Sequence, residues 1–157
     1  MKTLILKILI IITFIMINSC KSQEYPLNSD ITQYPANSYF KDIDNKYDAF
    51  IGNWKAVYDN KTITLKISKV IKKSLMFGSK SFFQDVLIVQ HLIKDNAGNI
   101  IENKIVNDLN IYDIISINYN YTANIVYLNY SGVNCRVGSG MLFFKLVSSN
   151  SFITISQ

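Results

Sequence analysis

A chain of 157 residues is long enough for one domain with its own hydrophobic core. Ten Tyr, nine Phe and only two Pro favour pleated β-structure over helices. The formal charge of +5 is spread over lysines, and Arg136 is the only arginine. Because nucleic-acid-binding surfaces usually carry clusters of basic residues rich in arginine, the composition argues against a nucleic-acid partner.

The first nineteen residues have the pattern of a secretory signal peptide. Lys2 and Lys7 precede a mainly apolar run of ten residues, Ile8–Ile17. A membrane-spanning helix needs roughly 20 apolar residues, so this run is too short to be a membrane span. We therefore expect residues 1–19 to be a cleaved signal peptide.

The end of this leader resembles the lipobox of bacterial lipoproteins. Ile17-Asn18-Ser19-Cys20 has an apolar residue at position minus three and a small residue at minus one, directly before the cysteine. In such proteins the thiol receives a diacylglycerol, and two or more acyl chains give stable anchoring. The resemblance predicts a lipid on Cys20 and a membrane-anchored protein of the bacterial cell envelope, with the outer membrane as its expected location. The alternative is ordinary cleavage that leaves Cys20 with a free thiol.

The chain after the cysteine divides into two parts. Residues 20–44 are polar, contain Pro26 and Pro35 and show no hydrophobic period, so we expect a flexible tether. Residues 45–157 are expected to form the folded β-domain. Asp44–Phe50 is compatible with one or two helical turns at the start of that domain, with Asp44 or Asn45 as N-cap and three residues facing the core: Tyr47, Phe50 and Ile51. The nearby acids are expected to form a solvated approach to this helix start; they are Asp42, Asp44 and Asp48.

Short runs with a period of two, separated by turn residues, follow from Ile51 onward. They predict about eight antiparallel strands, enough for a small closed barrel, although a two-sheet sandwich has the same sequence signature. The run over 85–94 is apolar on both faces and is expected to be the most deeply buried strand. The predicted strands are 51–58, 62–68, 85–94, 100–106, 115–121, 125–130, 141–147 and 152–156, with a tight hairpin at Asp59-Asn60-Lys61.

The first strand carries a motif that resembles a known fold family. Gly52-Asn53-Trp54-Lys55 is similar to the Gly-x-Trp start of lipocalin-like β-barrels, in which the Trp plugs the closed end. The resemblance implies a lipocalin-like (calycin-like) barrel and a cation over the Trp ring, for which Arg136 and Lys145 are candidates. Judged from the residues alone, Trp54 is expected to be a core residue.

A second resemblance extends over the whole chain. The leader, Cys20-Lys21-Ser22-Gln23, the following Tyr-Pro-Leu and the Gly-x-Trp-Lys strand look like an uncharacterised lipoprotein family of Bacteroidota, a domain of unknown function. This resemblance implies a tethered envelope domain and no known activity.

The reactive side chains do not form a recognisable catalytic or metal-binding pattern. His91 is the only histidine, whereas a zinc site needs three or four protein ligands and a serine nucleophile needs a positioned base. Cys135 has no cysteine partner if Cys20 is acylated, and we expect an inert, buried thiol despite the adjacent Arg136. We therefore expect no enzyme activity, no cofactor and no metal.

Two surface features have both a functional and an ordinary interpretation. The segment 61–80 carries six lysines and no acid, and it could face anionic lipid or acidic glycan or simply form a solvated edge. Five tyrosines in the second half of the chain could form a sugar-stacking platform, or they could reflect β-propensity alone. They are Tyr112, Tyr119, Tyr121, Tyr127 and Tyr130.

These observations favour a lipid-anchored module that binds a small apolar or glycan ligand. The alternative is a structural or interaction lipoprotein with a filled β core and no small-molecule ligand. The two differ in the inward positions, because a ligand cavity needs small or polar residues there, whereas a filled barrel has bulky ones.

Overall fold

The computed structural model describes residues 23–132, 139–148 and 151–156, the last strand by its backbone only. This part of the chain is mostly β, with ten strands and two short 3₁₀ helices at Ile31–Gln33 and Lys46–Phe50. The strands are β1 (Glu24–Pro26), β2 (Tyr39–Lys41), β3 (Gly52–Tyr58), β4 (Lys61–Phe77), β5 (Lys80–Lys94), β6 (Ile100–Asn103), β7 (Ile114–Asn120), β8 (Ile125–Tyr130), β9 (Gly140–Ser148) and β10 (Ser151–Ser156).

Strand β5 organises the sheet. It pairs along one edge with β4 over nearly its whole length. Its other edge pairs in turn with β2, then β7, then β6. Antiparallel pairing continues from β7 through β8 and β9 to β10, while β3 pairs with β4. The result is one sheet that curls into a half-barrel.

The mostly-β prediction is confirmed, and strands β3 to β10 correspond to the eight predicted runs. The prediction of a purely antiparallel sheet is wrong, because the β1–β2 and β2–β5 pairs are parallel. Both parallel pairs involve the segment before residue 45. The error therefore follows from assigning that segment to a tether.

Residues 23–44, expected to be a flexible tether, are folded onto the sheet in this structure. Leu27, Tyr39 and Phe40 have at most 5% of their surface exposed. Apolar burial accounts for this, because four aromatic rings from this segment and β5 pack with centroid separations of 3.9 to 5.8 Å. These rings are Tyr25, Tyr34, Phe40 and Phe82. They are spaced irregularly in sequence, so they gave no periodic signal.

The expected helical turns before the first long strand form a 3₁₀ helix at Lys46–Phe50. Tyr47 and Phe50 are buried as expected, whereas Ile51 is exposed. The expected side-chain cap from residue 44 or 45 is replaced by Asp42, whose carboxylate accepts the backbone N–H groups of residues 46 and 47. Such capping satisfies amides that have no partner inside the helix.

Two tight turns set the lengths of the long strands. Asp59 and Asn60 both have positive φ, the conformation of a type I′ hairpin turn, and they confirm the predicted hairpin. Gly78 has φ +60 at the first central position of the β4–β5 turn, where glycine adopts that conformation without strain. Strand β4 extends nine residues beyond its predicted end and contains an irregularity between Val70 and Lys73.

The concave side of the curled sheet is filled by large apolar side chains. Nearly all come from strands, while Leu27, Tyr47 and Phe50 come from the N-terminal segment and the second 3₁₀ helix. A smaller cluster on the other face is covered by Leu109 and Tyr112. The fully or largely buried members of the concave core are Leu27, Tyr47, Phe50, Ile67, Leu87, Val89, Ile114, Tyr119, Val126, Leu128 and Phe144.

Trp54 lies at the border of the concave core. It is partly buried, packs against the core residues and donates its indole N–H to the carbonyl of Phe50 at 2.8 Å. The expectation of a core residue therefore holds in a weaker form, because part of the ring remains exposed. This hydrogen bond links the 3₁₀ helix to the strand that follows it.

Asp85 is the polar centre of the fold. It has 3% of its surface exposed and accepts three hydrogen bonds from three different segments. The donors are the hydroxyl of Tyr39 at 2.5 Å, the backbone N–H of Asp42 at 3.0 Å and the backbone N–H of Lys72 at 2.9 Å. Burying a carboxylate is costly unless it is hydrogen bonded, and these donors offset that cost.

We expect Asp85→Asn to lower the free energy of unfolding by about 2 to 3 kcal/mol, since the amide places an N–H₂ against donors and loses the charge that strengthens them. Urea unfolding of the full chain measures this change. The matched control is Asp59→Asn in an exposed turn, which we expect to cost less than about 0.5 kcal/mol. Equal effects of the two substitutions would contradict the structural role of Asp85.

Candidate functional site

The structure contains two clusters of polar side chains that could act chemically. The first surrounds Asp42, which was expected to be solvated but has a fully buried carboxylate. One carboxylate oxygen of Asp42 accepts a hydrogen bond from the Nζ of Lys69 at 2.8 Å. The same Nζ lies 2.7 Å from a carboxylate oxygen of the exposed Asp48. The expectation of a solvated acid is wrong for Asp42, because its carboxylate caps the 3₁₀ helix and pairs with Lys69.

This buried network connects parts of the fold. Burial alone would lower the pKa of Lys69, but its hydrogen bonds to Asp42 and Asp48 outweigh that effect and raise it. Burial, together with the hydrogen bond to Asp85, raises the pKa of the Tyr39 hydroxyl. The contacts of the carboxylates join β2, β4, β5 and the 3₁₀ helix, so the arrangement is that of a structural network.

The second cluster lines an open cleft at the β7–β8 turn. One depression, of about 330 Å³, has seven lining residues, and an adjoining one, of about 290 Å³, shares Asn28 and Tyr121 with it. The adjoining depression is completed by Pro26, Ile43 and Asp44. We call the first depression the Tyr–Asn cleft; its lining residues are Asn28, Asn118, Tyr119, Asn120, Tyr121, Thr122 and Tyr127.

Hydrogen bonds within the turn fix the cleft wall. The carboxamide oxygen of Asn118 accepts the backbone N–H of Tyr119 at 2.6 Å, and that of Asn120 accepts the N–H of Ala123 at 2.9 Å. The hydroxyl of Tyr119 donates to the side chain of Asn124 at 2.9 Å. Asn124 has φ +53, a conformation that asparagine tolerates better than most residues. The asparagines therefore stabilise the turn as well as line the cleft.

The tyrosine rings of the cleft are held by packing. The rings of Tyr119 and Tyr121 meet edge to face, with centroids 5.0 Å apart. The ring of Tyr47 also meets that of Tyr119 edge to face, with centroids 6.0 Å apart. Tyr127 meets Phe143 edge to face at 5.1 Å. Burial raises the pKa of the Tyr119 and Tyr121 hydroxyls, so both remain neutral hydroxyl groups at physiological pH.

The chemistry of the cleft is neutral and polar with aromatic surfaces. Its lining offers amide and hydroxyl groups, which both donate and accept hydrogen bonds, beside tyrosine rings. No charged side chain is among its described lining residues, and the adjoining depression contains one, Asp44. Such a surface suits a neutral ligand with many hydroxyl groups better than a charged or wholly apolar one.

Of the five tyrosines considered as a platform, the structure brings three together in the cleft. Tyr119, Tyr121 and Tyr127 line it, whereas Tyr112 covers the small cluster on the opposite face and Tyr130 packs on the concave core. The sequence gave no reason to include Asn28, which lies in the supposed tether, or the asparagines of the turn. The alternation of asparagines with tyrosines over residues 118–121 was the sequence signal that could have indicated the asparagines of the turn.

The other residues singled out by the sequence lie elsewhere. Cys20, Cys135 and Arg136 are outside the described residues. Lys145 is exposed on β9. The Nε2 of His91 lies 3.3 Å from a carboxylate oxygen of Glu102 at the far end of β5. In the described part of the chain, no group of three or more His, Cys, Asp or Glu side chains is arranged to hold a metal ion.

The fold and the cleft define a class: a mostly-β protein on one curled, mixed sheet with an open, neutral cleft at its rim. The chain belongs to the family of unknown function DUF6705, whose model matches residues 1–146. Neither a curated protein nor a solved structure matches the chain. No helix among the described residues combines the length and hydropathy of a membrane span.

The buried network predicts sensitivity to alkali. Tyr39 and Lys69 have raised pKa values in the folded state, so the unfolded chain loses their protons first, near pH of about 10. Their stabilising contribution is complete below that pH and decreases as the pH rises further. We expect urea unfolding to show this decrease, and Tyr39→Phe to make it shallower. A pH dependence identical in Tyr39→Phe and the unaltered protein would contradict the assignment.

Proposed function

We propose that this chain is a lipid-anchored protein of the bacterial cell envelope that binds a neutral, hydroxyl-rich ligand, such as part of a glycan, in the Tyr–Asn cleft. The observation that supports it best is the lining of the cleft, in which the partly exposed rings of Tyr121 and Tyr127 stand beside asparagine and threonine side chains, with the buried Tyr119 behind them. Rings provide stacking surfaces, and neutral amides pair with hydroxyl groups at little electrostatic cost.

The rim suits this role better than the interior. The described inward positions carry bulky side chains with less than 10% of their surface exposed, which leaves the concave core packed. Gly52 and Trp54 at the start of β3 are the basis for proposing a relation to lipocalins. If that relation holds, the ligand site of this chain lies outside the core. In this proposal the Trp54 ring serves packing, since it contacts core residues and bonds to Phe50.

The anchor is proposed from the leader and the lipobox-like sequence before Cys20. The first described strand begins at Glu24, four residues after that cysteine. Such an anchor would hold the domain close to the bilayer rather than at the end of a long tether. Kinship with lipoproteins of Bacteroidota is part of the same proposal.

A second candidate is a lipoprotein that binds a protein partner and has no small ligand. The filled concave core favours it, and so does β3, which pairs on one side with β4 and exposes 75% of both Val57 and Tyr58. A partly apolar strand with exposed side chains can accept another strand. Absence of glycan binding together with a β3-dependent partner would favour this candidate.

The anchor is tested by Cys20→Ser in the full chain. We expect the protein to move from the membrane fraction to the soluble fraction and to lose labelling by a fatty-acid analogue, because the acyl chains have no other attachment site in this proposal. Cys135→Ser is the matched control and should retain both properties. Unchanged labelling in Cys20→Ser would contradict the anchor.

The cleft is tested by titrating soluble glycan fragments of the envelope into the full chain while recording calorimetry or NMR shifts. We expect Tyr121→Ala to weaken binding about tenfold or more, and Thr122→Ala to weaken it less, because a ring supplies more contact than one hydroxyl. Tyr121→Phe should keep the affinity, because the Tyr121 hydroxyl is buried and only the ring can face a ligand.

Tyr58→Ala is the control, since this exposed tyrosine lies on β3, outside the cleft. Thermal unfolding of each variant shows whether the fold is retained, since Tyr121 also packs on the concave core. Equal affinities of Tyr121→Ala and Tyr58→Ala, with both proteins folded, would overturn the cleft assignment.

A further inference from the structure

The turn between β4 and β5 exposes apolar side chains at the end of the longest hairpin. Met76 is 70% exposed and Phe77 is 59% exposed, directly before Gly78 and Ser79. We call residues 76–79 the hairpin tip. Large apolar residues that remain exposed together at a projecting turn mark a surface that is covered in function.

The N-terminus of the described chain lies at the same end of the sheet. Strands β1, β2 and β5 run parallel, and the register places Glu24 beside Tyr39 and Tyr39 beside Phe83. Gly78 is five residues before Phe83 along the hairpin. Residues 78 and 79 form the turn itself, so at about 3.3 Å per residue the hairpin tip extends about four residues, or about 13 Å, beyond the level of Glu24.

The chain length before Glu24 limits the distance to a lipid on Cys20. Four residues span at most about 14 Å when fully extended. A bilayer that holds acyl chains on Cys20 therefore lies within about that distance of the start of β1. The hairpin tip projects in the direction from which β1 enters the sheet and reaches a comparable distance.

The charge beside the hairpin tip is positive. Lys80 pairs with Phe77 at the tip itself, whereas Lys72 and Lys73 lie further along β4, where Lys73 pairs with Gln84. The sequence contains no acid between Asp59 and Asp85. Among the described residues, no carboxylate forms a salt bridge with these three lysines. The ammonium groups of Lys72 and Lys73 lie over aromatic rings, and that of Lys80 contacts the carbonyl of Ile31. Lys80 has the Asp30 carboxylate as an electrostatic neighbour, whereas the charge of Lys72 and Lys73 is available to anionic phosphate headgroups.

We propose that the hairpin tip rests in the headgroup region of the membrane that anchors Cys20, with Met76 and Phe77 at the boundary of the acyl chains and the lysines beside the phosphates. This inference rests on the proposed lipid anchor. It identifies the occupant of the exposed apolar patch as a phospholipid bilayer, because the anchor length, the direction of the hairpin and the charge all agree.

The test uses tryptophan fluorescence of the full, lipidated chain. F77W is made in a W54F background and reconstituted into vesicles of phosphatidylethanolamine and phosphatidylglycerol with brominated acyl chains. Bromine quenches a nearby indole, so we expect at least about twofold more quenching in F77W than in the control, together with a blue-shifted emission. The control is Y58W in the same background, because Tyr58 is 75% exposed beside the hairpin turn at the opposite end of the sheet.

The outcomes separate this inference from the proposed anchor. If the vesicles retain the protein and F77W is quenched no more than Y58W, the position of the hairpin tip is overturned and the anchor stands. If the protein is not retained and carries no lipid, both are overturned. Should W54F fail to fold, F77W in the unaltered background gives the same comparison after the signal of Trp54 is subtracted.

Discussion

Asp85 connects three segments that are distant in sequence: β2, the turn before the second 3₁₀ helix and the irregular part of β4. Each supplies one hydrogen bond to a carboxylate on the most buried strand. Removing any of these segments would leave a buried charge with too few donors, which is costly. The neighbouring Asp42 adds a second attachment by capping the 3₁₀ helix and pairing with Lys69. The N-terminal segment is thereby part of the domain, and the direction of β1 fixes where the chain enters it.

This attachment determines the arrangement of the two proposed contact surfaces. Strand β7 runs antiparallel to β5, so it ends at the side of the sheet where β5 begins. The Tyr–Asn cleft and the hairpin tip therefore lie at the same end of the curled sheet. In our proposals, the cleft would take its ligand close to the bilayer, and Asn28 would connect the two regions because it belongs to the folded N-terminal segment and to the cleft lining.

Period-two patterns predicted the strands from β3 to β10 because these runs are long, regular and punctuated by turn residues. The hairpin at Asp59-Asn60 and the buried strand over 85–94 were predictable for the same reason. β1 and β2 were not, since three-residue parallel strands have no period and owe their position to tertiary contacts with Asp85 and Phe82. Three cleft tyrosines were among the candidates in the sequence, but their association with Asn28 depends on that same packing.

The account depends on the folded state of the segment before residue 45, and hydrogen–deuterium exchange of the full chain measures this directly. The backbone amide of Asp42 donates to Asp85, so we predict that it exchanges as slowly as the amides of Val86 and Leu87 in β5. Asp85→Asn should increase its exchange rate selectively. Exchange of Asp42 in the unaltered protein at the rate of an unstructured peptide would contradict the account, because the segment would then be a free tether.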